Sequence, residues 1–185
     1  NLPSVWGLDV SRFGNDKTAL CKRQGSVVTE IRSWAGLDLM QTVGRVVAEY
    51  EALLPSKQPR EILVDSIGLG SGVVDRLREI GLPVRGINVA EAPSMGATYL
   101  NLRSELWFKT KAWFEDRACK LPKDDQLVAE LTGIRYSFTS SGKMKAESKD
   151  EMRKRGLASP DLADALCLTM ASDAATALSG AFSSW

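Results

Sequence analysis

The sequence predicts an α/β domain in which three antiparallel strands are followed by parallel strands and covering helices. Residues 5–34 contain three short runs of apolar and β-branched residues separated by turn formers. Helices and strands then alternate through residues 38–89, a pattern that favours parallel pairing by right-handed crossovers. No internal repeat or linker interrupts the chain, and 185 residues are enough for one well-cored domain.

The opening strands are predicted at residues 5–10, 17–23 and 27–34. The links between them, SRFGND and QGS, are rich in residues that favour turns. Such short links make consecutive strands antiparallel neighbours.

The middle of the chain predicts helix, strand, helix and strand. Asp38 is the expected N-cap of a helix that extends to about Leu54, since apolar residues follow it at helical spacing. A compact strand at 61–65 precedes the glycine-rich segment SIGLGSG. A helix from about Val73 to Ile80 and a strand at 84–89 complete this part.

The second half predicts helices with one β-hairpin. The expected elements are helices at 101–117 and 124–132, a hairpin of strands 134–139 and 143–146, and a last helix. That helix is predicted to open with Ser159 as N-cap and Pro160 as first residue, and to end near Ala175. The element order is that of the ribonuclease H-like fold, a mixed sheet flanked by helices, with an additional β-hairpin.

The sequence contains no histidine, so a hydrolytic site here lacks imidazole as base or metal ligand. Asp9, Asp65, Asp161 and Asp164 each lie where a predicted strand ends or a helix begins. Singly, each has an ordinary explanation as a cap or a strand-end acid. Jointly, one topology places all four at one end of the sheet, where clustered carboxylates bind hard cations such as Mg²⁺ or Mn²⁺.

Two such ions would allow phosphodiester cleavage with carboxylate ligands alone. In that chemistry one cation activates a water and the other stabilises the leaving oxygen. We predict that Asp9 bridges the two ions, that Asp65 completes one site and that Asp161 completes the other. Asp164 would ligate directly or through water.

Charge and cysteine usage exclude several other classes. A net charge of +1 gives no basic excess, so any nucleic-acid footprint is local. The segment 143–155 holds six Lys or Arg against three acids, which fits either such a footprint or a solvated helix face. Cys21, Cys119 and Cys167 form no CxxC pair and indicate a reducing cytoplasm. No apolar run reaches the roughly 18–20 residues of a membrane span.

Three segments together resemble the nuclease domain of tailed-bacteriophage large terminase subunits. GLDVSRFGNDKTAL, LVDSIGLGSGVVDRL and GLASPDLADALCLTMA occur in that family's order, and the resemblance covers residues 5–175. It implies a metal-dependent endonuclease that cuts concatemeric double-stranded viral DNA during packaging in the host cytoplasm. Residues 1–185 would be the single nuclease domain of a larger packaging protein whose ATPase domain is absent, since GxxxxGK[ST] does not occur and the chain starts at Asn1.

The resemblance also implies roles and partners. Asp9, Asp65 and Asp161 match the family's catalytic acids, whereas Ser159 and Pro160 stand where many relatives carry histidine and aspartate. This departure draws attention to Asp164 as a fourth ligand. The implied DNA-phosphate contacts come from the hairpin region and from the end of the first strand, namely Lys143, Lys145, Lys149 and Arg12. The implied partners are DNA, the ATPase domain, a small terminase subunit and a portal or procapsid.

Three alternatives stay open at this point. A Holliday-junction resolvase shares the fold and resembles this chain in the paired Asp161 and Asp164. A non-catalytic DNA-clamping or motor-docking module would keep the fold without the chemistry. An actin-like nucleotide-binding domain also begins with an aspartate-bearing strand, although 185 residues leave little room for its second lobe.

Overall fold

The structure, a computed structural model, describes residues 2–11 and 16–173. The strands are β1 (Ser4–Asp9), β2 (Lys17–Gln24), β3 (Val27–Ala35), β4 (Glu61–Asp65), β5 (Val84–Ile87), β6 (Tyr136–Phe138) and β7 (Met144–Ala146). The α-helices are α1 (Leu39–Glu51), α2 (Leu69–Ile80), α3 (Leu102–Glu115), α4 (Asp125–Gly133), α5 (Lys149–Lys154) and α6 (Asp161–Leu168). Short 3₁₀ turns occupy Pro55–Lys57 and Thr169–Ala171.

The predicted mixed sheet and hairpin are confirmed. Five strands pair in the order β3-β2-β1-β4-β5, and β6 and β7 form a separate antiparallel pair. β2 is antiparallel to both β1 and β3, whereas β1, β4 and β5 run parallel. β1 is therefore central, with Leu8 opposite Leu20 on one side and Val64 on the other.

Side chains of each strand alternate between the two faces of this sheet, and helices cover both faces. Trp6, Leu8 and Val64 pack with residues of α1 and α2 in one core. The other core joins Cys21 and Leu63 to residues of α3, α4 and α6. All eight residues of α6 are buried, including both of its aspartates. No helix of the described part is long and apolar enough to cross a membrane.

Helix α6 lies unusually close to β1 at Gly7. A Cβ at this position would be 2.0 Å from the carbonyl oxygen of Ala165 and 3.0 Å from the Thr169 methyl carbon. Any side chain there would push α6 away from the sheet. The residue type at position 7 therefore sets the distance between the strand that ends at Asp9 and the helix that carries Asp164.

Gly7→Ala is expected to lower the free energy of unfolding by about 3 kcal/mol, the upper range for overpacking a core. This corresponds to a drop in melting temperature of roughly 6–12 °C for a chain of this size. Gly44→Ala is the matched control, because Gly44 lies within α1 with no atom near its Cβ position. That change should raise stability by about 0.5–1 kcal/mol. Equal effects in thermal unfolding would contradict the close approach.

Two helix starts differ from the sequence prediction. α2 begins at Leu69 rather than near Val73, so the glycine-rich segment forms its first turn. Gly70 permits this, since a Cβ there would lie 1.7 Å from the carbonyl oxygen of Asp65. The last helix begins at Asp161, and Ser159 donates to the Asp161 carboxylate instead of capping the backbone. Its predicted end near Ala175 lies outside the described residues.

Candidate active site

Parallel pairing brings two predicted aspartates to one edge of the sheet. Leu8 of β1 is opposite Val64 of β4, and each strand ends at the following residue, which is Asp9 or Asp65. Helix α6 packs across β1 and β2 with its N-terminal turn at the same edge. Asp9, Asp65 and Asp164 consequently line one cavity of about 280 Å³. Three of the four acids named in the sequence analysis therefore lie at one cavity, whereas Asp161 lines the neighbouring one.

Lys149, the first residue of α5, places its ammonium group among the acids. Its Nζ is 2.8 Å from Oδ2 of Asp9, 3.4 Å from Oδ1 of Asp161 and 3.4 Å from Oδ2 of Asp164. Burial favours the neutral amine, yet the three carboxylates outweigh it and raise the pKa of Lys149 above its usual range. The lysine is therefore a fixed positive charge at the centre of the cluster.

Asp9 is a buried acid of the cluster with a raised pKa. It is 3% exposed, and burial raises its pKa from 3.8 to about 7 although Lys149 acts in the opposite direction. The negative charges of Asp164 and Asp161 add to the increase. A divalent cation at this position would stabilise the ionised Asp9 against both its burial, the main cause of the raised pKa, and the repulsion from Asp164 and Asp161.

The two oxygens of Asp164 have different surroundings. Oδ1 accepts hydrogen bonds from Trp107 Nε1 at 2.8 Å and from Arg103 Nη2 at 3.1 Å. Oδ2 is buried and accepts no hydrogen bond from any described residue. Burial alone would raise the pKa of Asp164, but Arg103 and Lys149 hold it below its usual value. The residue is therefore an anion with one oxygen available to a ligand.

Both carboxylate oxygens of Asp161 accept hydrogen bonds from other residues. Its Oδ2 accepts from the backbone nitrogen of Lys17 at 2.8 Å, and its Oδ1 accepts from Ser159 Oγ at 2.5 Å. The side chain lines the neighbouring cavity with Glu130, whereas Asp164 lines the cavity of Asp9. In this arrangement Asp161 braces the start of β2 against α6, and only its Oδ1 reaches the cluster.

Asp65 is half-buried at the end of β4 and accepts a hydrogen bond from the backbone nitrogen of Ile67 at 3.1 Å. This short turn directs the chain into α2 while the carboxylate stays at the cavity.

The donor set suits a hard cation, although the acids do not enclose one as they stand. Across the described residues, no group of three or more acidic, histidine or cysteine side chains is arranged to hold an ion. The Lys149 ammonium already lies between the carboxylates that would converge. The carboxylates of Asp9, Asp65 and Asp164 in the cavity lining, with Oδ2 of Asp164 accepting no hydrogen bond, nevertheless fit Mg²⁺ or Mn²⁺, which prefer oxygen ligands.

The predicted DNA-contacting residues lie in different settings. Arg12 falls outside the described residues. Lys143 and Lys145 lie in the hairpin region, and Lys145 pairs with Glu151 at 2.6 Å. Lys149 lies in the acid cluster rather than on the outer surface. Phosphate contacts by these four side chains remain predictions.

Sequence reasoning missed Arg103 and Trp107. The ring of Trp107 is buried in the core, and its indole N–H also donates a hydrogen bond to Asp164. The two residues are four positions apart and therefore share one face of α3. The available signal was a long cationic side chain, Arg103, on the same inward face of α3 as Trp107. Core packing alone did not explain a cation at that position.

Comparisons with solved structures match this architecture. The nuclease domain of the large terminase subunit gp2 of bacterial virus Sf6 is 24% identical, with a TM-score of 0.77 over 91% of this chain and 87% of that one. The large terminase nuclease of thermophilic phage G20c, solved with bound magnesium, is 17% identical. Its TM-score is 0.70 over 92% of this chain and 81% of that one.

This chain has the terminase-nuclease fold. No protein-family model matches the sequence, and a search of curated proteins finds no relative. The fold is the ribonuclease H-like mixed sheet with flanking helices that the element order predicts. In the terminase-nuclease fold of this chain, the acid cluster lies at the carboxyl ends of β1 and β4.

Proposed function

We propose that this chain is the nuclease domain of a phage packaging terminase, a divalent-metal-dependent endonuclease that cuts concatemeric double-stranded DNA. The observation that carries the proposal is the meeting of Asp9, Asp65 and Asp164 in one cavity. The shared fold supports it, as do structures of such nucleases that contain manganese or magnesium.

Asp9, Asp65 and Asp164 are the residues that would hold the metal. Mg²⁺ or Mn²⁺ bound there would acidify a water and stabilise the leaving oxygen of the phosphodiester. Asp9 is the proposed bridging ligand, because it ends the central strand between Asp65 and the first turn of α6. Asp161 would join the ligand set by exchanging the hydrogen bond from Ser159.

Lys149 has a distinct role in this proposal. Without metal, its ammonium offsets the charges of Asp9 and Asp164 and keeps the acids from repelling one another. With a metal held by Asp9, Lys149 would no longer be needed to offset that charge, and its ammonium in the cavity lining could bind a phosphate oxygen. Its position at the first residue of a short helix makes such an adjustment local.

The duplex would lie across the cavity, with its backbone contacted by lysines and by Arg12. Lys143 and Lys145 in the hairpin region would bind phosphates and so position the duplex without reading bases. In a complete packaging protein, an ATPase domain, a small terminase subunit and a portal would act with this domain in the host cytoplasm.

Cleavage of supercoiled plasmid tests the proposal. Nicked and linear products are expected with Mn²⁺ or Mg²⁺ and none with EDTA. Asp65→Ala should lower the rate by a factor on the order of 10³, since it removes ligand charge where the metal acts. Asp75→Ala is the matched control, because Asp75 is an exposed acid on α2.

Equal cleavage in EDTA, or by Asp65→Ala, would contradict the metal mechanism. A four-way junction assayed beside linear duplex separates the two nuclease classes. Preference for the junction would favour a resolvase over a packaging nuclease. Absence of cleavage together with tight DNA binding would favour a clamping module.

A further inference from the structure

Asp164 is held so that Oδ1 accepts two hydrogen bonds, whereas Oδ2 accepts none and faces the Lys149 ammonium at 3.4 Å. Trp107 Nε1 and Arg103 Nη2 both donate to Oδ1, at 2.8 and 3.1 Å. Two donors from one helix fix the rotation of the carboxylate about its side-chain bonds. Oδ2 is thereby directed toward Lys149 at the centre of the acid cluster.

Arg103 is itself fixed at a second point. Its Nη1 donates to the carbonyl oxygen of Glu147 at 2.5 Å, directly after β7. Its guanidinium also lies over the ring of Trp107, with 5.7 Å between the guanidinium carbon and the ring centroid. The planar guanidinium can satisfy Asp164 and Glu147 at once, whereas a lysine ammonium in its place would have to choose between them.

We propose that Arg103 and Trp107 are positioning residues for the metal ligand Asp164. This inference rests on the proposed function, because it takes Asp164 as a ligand. Both residues line the cavity, and in this proposal they act by presenting Oδ2 of Asp164 to the ion rather than by binding it themselves. Partners that orient a ligand in this way commonly change metal affinity 10–100-fold when they are removed.

Calorimetric titration with Mn²⁺, on the wild type and on a set of variants, tests the inference. Arg103→Lys keeps the positive charge but loses the fork, and Trp107→Phe keeps a ring but loses the N–H donor. Each is expected to raise the Mn²⁺ dissociation constant about tenfold. Arg76→Lys, on the exposed face of α2, is the control and should leave that constant unchanged.

The double variant separates positioning from general damage. If Arg103 acts through Asp164, then Arg103→Lys should cause no further loss of Mn²⁺ affinity in an Asp164→Asn background. Additive losses in that background would overturn the inference, as would an unchanged dissociation constant in both Arg103→Lys and Trp107→Phe. Circular dichroism shows which variants are folded. If Arg103→Lys does not fold, the titration of Trp107→Phe decides the test.

Failure of the inference differs from failure of the proposed function. If the wild type binds no Mn²⁺, or if Asp9→Asn binds it equally well, the metal site itself is refuted. If the wild type binds, Asp9→Asn does not, and the two positioning variants match the wild type, only the roles of Arg103 and Trp107 are refuted.

Discussion

Replacing Asp9 with asparagine is expected to abolish metal-dependent cleavage and to make the metal-free protein more stable at pH 8. Asp9 is buried at the end of the central strand, within reach of Lys149 and facing the charges of Asp161 and Asp164. The amide keeps the shape and can accept a hydrogen bond from Lys149, but it removes one negative charge. The proposed bridging ligand is lost by the same change.

The sign of the stability effect follows from the pKa of Asp9. The folded protein raises this pKa from 3.8 to about 7, so ionisation destabilises the fold progressively as the pH rises through that interval. At pH 8 the penalty is fully present, and at pH 4 it is nearly absent. We expect Asp9→Asn to be more stable than the wild type by about 2 kcal/mol at pH 8.

Thermal unfolding in EDTA at pH 4 and pH 8 measures this effect. The expected rise in melting temperature is roughly 4–8 °C at pH 8 and close to zero at pH 4. Asp75→Asn, an exposed acid on α2, should change neither value. A lower melting temperature for Asp9→Asn at pH 8, or retained cleavage, would show that Asp9 is structural.

Lys149→Met should tighten Mn²⁺ binding while weakening the metal-free fold. Methionine removes the ammonium that lies 2.8 Å from Asp9 and leaves the buried carboxylates uncompensated. Breaking a buried ion pair from one side costs about 3 kcal/mol. A bound cation would restore the missing charge, so metal should stabilise this variant more than it stabilises the wild type.

The measurement is the melting temperature with EDTA and with saturating Mn²⁺, together with the Mn²⁺ dissociation constant. We expect at least a tenfold smaller dissociation constant for Lys149→Met than for the wild type. Lys154→Met is the matched control, since Lys154 is exposed on the same helix α5. Weaker Mn²⁺ binding by Lys149→Met would mean that the lysine supports the metal site instead of competing with the ion.

The fold was predictable because its signals are local. Apolar runs, the Asp38 cap and the hairpin each correspond to an observed element, and the element order alone implied which strands are parallel. The edge where Asp9 and Asp65 meet followed from that order, since parallel strands end on the same side.

The different positions of Asp161 and Asp164 relative to the cavity were not predictable in this way. Asp161 and Asp164 are three residues apart, and helical spacing places both on one face without saying which faces the cavity. That choice depends on distant partners, namely the Lys17 backbone for Asp161 and the side chains of Arg103 and Trp107 for Asp164. The same holds for Lys149, whose sequence neighbourhood looks like an ordinary charged helix.

The complete burial of α6 has a consequence for how the site can change shape. A helix with every residue inside the core opens only when much of the domain unfolds, so Asp164 belongs to a stationary wall of the cavity. Helix α5 is short and buries only Met152, so it can shift with less disruption of the core. We therefore expect the proposed loading and release of ions to depend on α5, and bound DNA to influence them through the hairpin that precedes it.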